Sequence, residues 1–265
     1  MGLDSPVVTL PEGYRLTAFD EVDSTNDEAR RRAANGEGPG LVVWARRQTR
    51  GRGRRGRTWV SPEGNLYVSV VLEPGCPLTQ AAQISFVAAL ALGETISLLG
   101  GGQSSPAFKW PNDVLIGGRK VAGILLETLG GESVQGPCLI VGVGLNLTAY
   151  PREARFPATS LRAQGWPVIA PEGALETFIP CFDRWLGRWQ QAGFAPLRGV
   201  WLDHAVALGQ EIEITFAGRR LSGTFREIDA QGALVLDDPG GARHVICAGD
   251  LFFGSPPPAA GHGDA

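Results

Sequence analysis

Lysine is almost missing from this chain: among 265 residues there are 22 arginines but only two lysines, Lys109 and Lys120, in one short segment. Where arginine otherwise supplies positive charge, a retained lysine points to a place that needs a compact ammonium group. Cysteine is scarce too. Cys76, Cys138, Cys181 and Cys247 lie far apart and form no CxxC pair, which argues against a zinc site or a disulfide framework and favours buried, reduced thiols. Long apolar runs are absent as well. Stretches such as Ala88 to Leu92 and Leu139 to Leu145 fall well short of the roughly 20 residues that span a bilayer, so no membrane association is expected. The N-terminus has neither the basic region nor the apolar core of a secretory signal, and a cytoplasmic protein is expected. A Walker-type lysine motif is also lacking.

What is present is a concentration of arginine. Arg46, Arg47, Arg50, Arg52, Arg54, Arg55 and Arg57 sit together with no acid among them, although the whole chain carries a net charge of -3. A local cationic cluster in an otherwise acidic protein suits a bounded anionic ligand better than a long nucleic-acid backbone. With 43% hydrophobic residues, the chain can bury a sizeable core in one large domain plus a small appendage.

Periodicity predicts a strand over Tyr14 to Val22, then a helix opened by Ser24-Thr25-Asn26-Asp27-Glu28 in a capping-box pattern and running to about Gly36. Strands follow over Leu41 to Ala45 and Asn65 to Leu72, and then an apolar helix from about Gln80 to Leu99. Phe108 to Glu127 reads as two strands folded about Gly117-Gly118, and Cys138 to Leu147 as a buried strand. Helices are predicted over Glu172 to Gly193 and Leu197 to Leu208, with Trp185, Trp189 and Trp201 facing the core. Beyond Gly209 four short strands, Glu211 to Phe216, Leu221 to Ile228, Ala233 to Leu236 and Arg243 to Ile246, suggest a small β-barrel. The division expected is 1–207, 208–254 and a disordered Pro/Gly/Ala-rich tail over 255–265.

Four stretches carry chemistry. Gly51-Arg52-Gly53-Arg54-Arg55-Gly56-Arg57 contains GxGxxG, but the turn-forming Thr58 to Gly64 follows it, where a dinucleotide motif must open a helix. That leaves a loop whose glycines allow close backbone approach and whose arginines offer forked donors to carboxylate and phosphate oxygens, or alternatively a solvated or RNA-binding basic arm. Lys109-Trp110-Pro111-Asn112-Asp113 leads into the hairpin. Its register sets Ile116 opposite Arg119 and Leu115 opposite Lys120, so that Asp113 and Lys120 share a face at roughly 7 Å, close enough to meet one ligand or to form a surface salt bridge. In Val141-Gly142-Val143-Gly144-Leu145-Asn146 the alternate glycines clear one strand face for a ligand or for tight helix packing. Ser24-Thr25-Asn26 serves as a helix cap, as a binding site at a helix N-terminus, or as both.

Together these stretches resemble the biotin protein ligase family, in its order and spacing. The matching pieces are Asp23-Ser24-Thr25-Asn26, Gln48 through Trp59, Asn65-Leu66-Tyr67, Lys109 through Asp113, Arg119-Lys120-Val121-Ala122-Gly123-Ile124-Leu125 and Gly142 through Asn146. The resemblance implies an α+β fold: a catalytic domain like that of class II aminoacyl-tRNA synthetases, a mixed sheet with helices, followed by an SH3-like barrel. It implies an enzyme that activates biotin with ATP and Mg2+ to biotinyl-5'-AMP and then biotinylates a lysine of a carboxyl carrier protein or carrier domain of a biotin-dependent carboxylase. Lys120, Arg54 and Asp113 would be catalytic. Ser24, Thr25, Asn26, Gln48, Arg52, Gly53, Arg54, Lys120 and Gly123 would bind biotin, and Arg55, Arg57, Trp59, Asn112 and Asn146 would bind ATP, with Trp59 stacked on adenine. The metal ligands are not implied. Related enzymes pair through sheet edges, so a homodimer is an option. Two departures stand out: Arg50 replaces the small residue that usually precedes Gly51, and only about 20 residues precede the first motif, so the repressor-type DNA-binding domain of some members, and specific DNA binding with it, is not expected. The rival readings are a lipoate or octanoate ligase on the same scaffold and an RNA-binding protein that uses the basic loop.

Overall fold

A computed structural model describes residues 8–101, 105–133, 136–154, 156–216, 219–247 and 249–252. The chain begins with β1 (Arg15–Val22), α1 (Thr25–Ala34), β2 (Leu41–Gln48) and β3 (Leu66–Leu72), then α2 (Leu78–Ala81) and α3 (Ile84–Leu99). Next come β4 (Ala107–Lys109), β5 (Asp113–Ile116), β6 (Arg119–Ser133) and β7 (Gly136–Leu145), followed by α4 (Pro171–Ala192) and α5 (Phe194–Asp203). Seven strands form one mixed sheet in the order β1-β2-β3-β7-β6-β5-β4. Only the β1–β2 pair is parallel; the rest pair antiparallel.

The two faces of this sheet differ, because side chains alternate along each strand. One face presents Val42, Trp44, Val68, Val70, Val141 and Val143 to α3, α4 and α5, and this is the main core. Trp185, Trp189 and Trp201 are buried in it, as expected. The unit α2–α3, Leu78–Leu99, is 22 residues long and apolar enough to cross a membrane by length and composition. In the fold its apolar surface is spent against the sheet and α4, so it is a core helix. The other face is covered over part of its length by α1, where Ala29 packs on Leu41, Val43, Val71 and Ile140. Beyond that contact the face turns from apolar to glycine-bearing, and a cavity opens.

The remaining strands, β8 (Glu211–Phe216), β9 (Arg219–Ile228), β10 (Leu234–Asp237), β11 (Arg243–Ile246) and β12 (Asp250–Phe252), make an antiparallel sheet in the order β11-β10-β9-β8-β12. The β9–β10 turn inserts into the larger unit. The Trp110 indole donates to the Gly232 carbonyl at 3.1 Å, and the Gln83 amide donates to the Ala230 carbonyl at 2.9 Å. Trp189 in turn donates to Gln83 at 2.9 Å and fixes its orientation. Gly232, at φ 90°, lies so close to Phe86 that a β-carbon would come within 2.8 Å of the ring.

The structure corrects several boundaries. The apolar helix is two pieces, broken at Ala82–Gln83. The last helix spans Phe194–Asp203, not Leu197 to Leu208: Gly193, at φ 69°, ends α4 and starts α5 at once, and Ala207, at φ 63°, cannot continue a right-handed helix. Phe108 to Glu127 holds three strands rather than two, since Trp110 to Asn112 turns the chain between β4 and β5. A fifth C-terminal strand, β12, was not foreseen. The tail predicted over 255–265 lies outside the described residues.

Candidate functional site

Sheet register builds the floor of the cavity. One row runs across five strands: Tyr67 on β3 opposite Gly144 on β7, Gly144 opposite Gly123 on β6, Gly123 opposite Asp113 on β5, and Asp113 opposite Lys109 on β4. The neighbouring row holds Ser69 and Gly142. Gly142 and Gly144 on β7 are both required by close contact. A β-carbon on Gly144 would fall 2.5 Å from the Trp59 indole nitrogen, and one on Gly142 would fall on the Asn26 side-chain oxygen. The space beside this strand is thus taken at Gly142 by the first turn of the packed helix α1, through Asn26, and at Gly144 by a tryptophan that follows the arginine loop.

The hairpin register is as the sequence predicts, Leu115 opposite Lys120 and Ile116 opposite Arg119. A bulge follows. Val114 pairs with Ala122, which leaves Val121 as an extra residue and moves Gly123 opposite Asp113. The side chains meet as the shared face allows, for Lys120 Nζ lies 2.5 Å from Asp113 Oδ1. These two side chains are 22% and 15% exposed, so the pair is a largely enclosed ion pair and not a surface bridge. The Lys120 ammonium also lies 5.1 Å from the centre of the Trp59 ring, within cation–π range.

Ser24 is the N-cap residue of α1, but its hydroxyl makes no capping hydrogen bond. The capping box read from the sequence is therefore not formed. Instead the Gln48 side-chain oxygen accepts from the Thr25 backbone N–H at 2.8 Å and from its hydroxyl at 3.2 Å. Ser69 donates at 2.6 Å to Asn26, and the Asn26 amide donates at 2.9 Å to Glu127. Ser24, Thr25 and Asn26 are all buried. A polar helix start held rigid by side chains from β2, β3 and β6 therefore faces the cavity.

The arginine loop closes over one side. It holds a short helical turn, Arg54–Gly56, and opens no α-helix, as expected from its context. Gly51 is pressed against Ser61 and the Trp59 carbonyl, with no room for a β-carbon. Arg52 bridges Asp27 and Glu127, both at 2.7 Å. Arg54 donates to Asn112 Oδ1 at 3.1 Å and so ties the loop to the turn after β4. Behind α1, the Asp23 carboxylate accepts from Arg31, and that guanidinium holds its pKa well below the usual carboxylate range. Arg50, the departure noted above, pairs with the same carboxylate at 3.2 Å.

The cavity is about 380 Å³. Its lining includes every singled-out residue except Arg55, which is exposed at the crest of the loop at φ 56°. Several participants escaped sequence reasoning. Ser69, a lone polar residue in a Val-rich strand, carried a signal; Glu127 did not. Asn65 accepts from the backbone N–H groups of Leu147, Thr148 and Ala149 at 2.9 to 3.1 Å. It thereby starts the 147–161 segment, which brings Phe156 over the cavity. The Trp59 indole N–H is buried without a hydrogen-bond partner among the described residues. A buried donor left unmade is costly, and this one lines a cavity with room for an acceptor. Among the described residues no group of three or more acidic, histidine or cysteine side chains could hold a metal ion by itself.

A mixed sheet with a glycine floor, a helix start and an arginine loop facing enclosed lysines fits a ligase of the biotin/lipoate A/B protein ligase family, whose profile matches residues 18–146. A second profile, the biotin protein ligase C terminal domain, matches residues 207–254, and with the relatives that follow it narrows the class: the chain belongs to the biotin protein ligases. It is 44% identical to a biotin--[acetyl-CoA-carboxylase] ligase of Paracoccus denitrificans, over 88% of this chain and 98% of that one. It is 34% identical to the enzyme of the same name from Mycobacterium tuberculosis, over 94% and 93%. Among solved structures, the biotin protein ligase of Aquifex aeolicus in complex with biotin and ATP superposes with a TM-score of 0.75 at 27% identity, covering 89% of this chain and 97% of that one.

Proposed function

We propose that the chain activates biotin with MgATP to biotinyl-5'-AMP and transfers the acyl group to a lysine of a biotin carboxyl carrier protein or carrier domain of a carboxylase. The observation that carries this reading is the enclosed Lys120–Asp113 pair, facing an arginine loop across a glycine floor. Ser24, Thr25, Asn26 and Gln48 form the polar end, suited to the ureido group, while Gly123 leaves room beside Lys120 and Arg52 and Gly53 close the loop over the acyl chain. Arg55, Arg57, Trp59, Asn112 and Asn146 are assigned to ATP, with the Trp59 ring against adenine and its orphaned N–H as a donor. Mg2+ would enter with ATP, bound to its phosphates. The hard oxygen donors of Asp113, Asn112 and Asn146 suit the remaining contacts, and the ion offsets phosphate charge.

In the first step a biotin carboxylate oxygen attacks the α-phosphorus, and the bond to the β-phosphate oxygen breaks, releasing pyrophosphate. Charge on the α-phosphate oxygens is offset by the Lys120 ammonium and the Arg54 guanidinium, both of which line the cavity. Asp113 holds the Lys120 ammonium in place. In the second step the neutral ε-amine of the carrier lysine attacks the mixed anhydride; the carbon–nitrogen bond forms, AMP leaves, and the amine proton passes to solvent. The loop, pinned by Arg52 to Asp27 and Glu127, keeps water from the anhydride in between.

We assign 1–207 to this catalytic unit, 208–254 to the SH3-like unit and 255–265 to a tail, and we place the enzyme in the cytoplasm with its carrier. The outer edge of β1 is the strand edge on which two copies could pair. Incubation with biotin, MgATP and a carboxylase carrier domain, followed by a streptavidin blot, tests the activity. Carrier labelling that depends on both substrates is expected; a blank blot with folded protein removes the proposal, and labelling with lipoate or octanoate in place of biotin would favour the sister ligase.

A further inference from the structure

Glu127 pins the arginine loop, and the same carboxylate oxygen reaches the polar end of the cavity. On β6, Gly123, Leu125 and Glu127 share one face by alternation, and Glu127 stands one step beyond the lining. Its Oε2 accepts from Arg52 at 2.7 Å and from the Asn26 side chain at 2.9 Å, with Arg30 at 3.6 Å, and the side chain is 19% exposed. This contact dictates where the neighbouring protons go. A carboxylate only accepts, so the Asn26 atom beside it is the amide nitrogen, whose second proton has the Leu125 carbonyl at 3.5 Å. The Asn26 oxygen is left to face Ser69. That oxygen only accepts as well, so the single Ser69 proton goes to it across 2.6 Å. The Ser69 and Thr25 hydroxyl oxygens are 2.8 Å apart, and Ser69, its own proton spent, can only accept there. The Thr25 proton therefore goes to Ser69 or to the Gln48 side-chain oxygen at 3.2 Å, in both cases into the protein. Thr25 and Asn26 line the cavity, and both offer oxygen lone pairs with no spare proton.

We propose that Glu127 is a positioning residue that sets this polarity and thereby selects the ligand: the polar end takes a ring that carries N–H donors, such as a cyclic urea, and rejects one that offers only lone pairs there. The proposal rests on the placement of the biotin ureido ring at this end of the cavity. A ring oxygen in the place of an N–H would meet Thr25 and Asn26 lone pair to lone pair. Asn26 could not turn to relieve it, because its oxygen would then point at the Glu127 carboxylate. Polar groups left unpaired in this way discriminate strongly between analogues of one shape. Arg52, on the same carboxylate oxygen, joins the loop to the arrangement, so the loop closes on a polar end whose protons are already placed. A glutamine could not do this, since its own amide can present either an oxygen or a nitrogen to Asn26.

Calorimetry with biotin and with the two cyclic carbamates in which one or the other ureido N–H is replaced by oxygen tests this, because the ring shape is kept. The wild-type protein is expected to bind the weaker carbamate at least about a hundredfold less tightly than biotin. Glu127→Gln is expected to narrow that ratio to about tenfold or less, because the Asn26 amide can then turn. A residue that only supports the fold would weaken both ligands alike, so an unchanged ratio in Glu127→Gln overturns the proposal even where biotin affinity has dropped. A wild type that holds both carbamates within about tenfold of biotin overturns it too; that measurement needs no variant and decides if Glu127→Gln does not fold. Tight biotin binding without discrimination removes this proposal alone, whereas folded wild type that takes up neither biotin nor a carbamate removes the biotin reading as well.

Discussion

Substituting Gly142 with alanine tests the geometry of the floor most directly. The new β-carbon would coincide with Asn26, falling 2.8 Å from its Cγ and 3.0 Å from its Nδ2. β7 is a central strand, paired on both sides with β3 and β6, so the backbone cannot retreat and Asn26 must move. Asn26 is held by Ser69 at 2.6 Å and by the Glu127 carboxylate at 2.9 Å. Overpacking costs about 1–3 kcal/mol, and losing a hydrogen bond to a charged partner costs about 1.5–3 kcal/mol. Replacing glycine within a strand returns roughly 0.5–1 kcal/mol. The expected net loss is about 2–4 kcal/mol, which lowers Tm by roughly 5–15 °C for a chain of this size. Denaturant melts of Gly142→Ala, Asn26→Ala and the double variant form a cycle: with Asn26 truncated, Gly142→Ala should cost less than about 1 kcal/mol. If Gly142→Ala costs the same in both backgrounds, Asn26 is not what demands the glycine, and the account of the floor is wrong. Biotin affinity should fall with Gly142→Ala too, because Asn26 belongs to the polar end of the cavity.

Lys120→Ala should lose at least about a hundredfold in single-turnover adenylation while staying folded, since the hydrogen bonds that fix its backbone, to the Pro157 carbonyl and from the Thr159 N–H, remain; unchanged adenylation would strip Lys120 of its role. Asp23, held below the usual carboxylate range by Arg31, contributes stability that is full above about pH 5 and fades as the pH falls through about 4 and below, because the unfolded chain takes up the proton first. For these part-exposed pairs the contribution is about 1 kcal/mol, so the difference in Tm between the wild type and Asp23→Asn should narrow steadily from pH 5 to pH 2, and a constant difference would contradict the assignment.

Much of the fold could be read from the sequence where the signal is local. Alternation marks the strands, and Gly117-Gly118 fixes the hairpin register that brings Lys120 to Asp113. The bulge at Val121 was hidden, because it answers to the opposite strand and not to its own residues. The purpose of Gly142 and Gly144 stayed open between ligand and helix for the same reason: the atoms that need the space, Asn26 and Trp59, lie more than 80 residues away in the chain. Ser24 looked like a cap by residue type, yet its neighbours give α1 another partner, Gln48 from β2. The arginine cluster was legible as a loop, but its acidic anchors, Asp27 and Glu127, were not, since nothing in either segment names the other.

The β9–β10 turn has a bearing on how the enzyme can be cut or recombined. Severing the chain near residue 207 would remove the Gly232 and Ala230 carbonyls that accept from Trp110 and Gln83, and would bare the Phe86 ring, against which Gly232 packs, to water. The two donors can turn to water, but the apolar contact is lost, and Trp110 stands in the turn that presents Asn112 to the cavity. The smaller unit thus behaves as the last piece of the larger one's interior, and a graft from a relative must carry its own carbonyl pair into that gap.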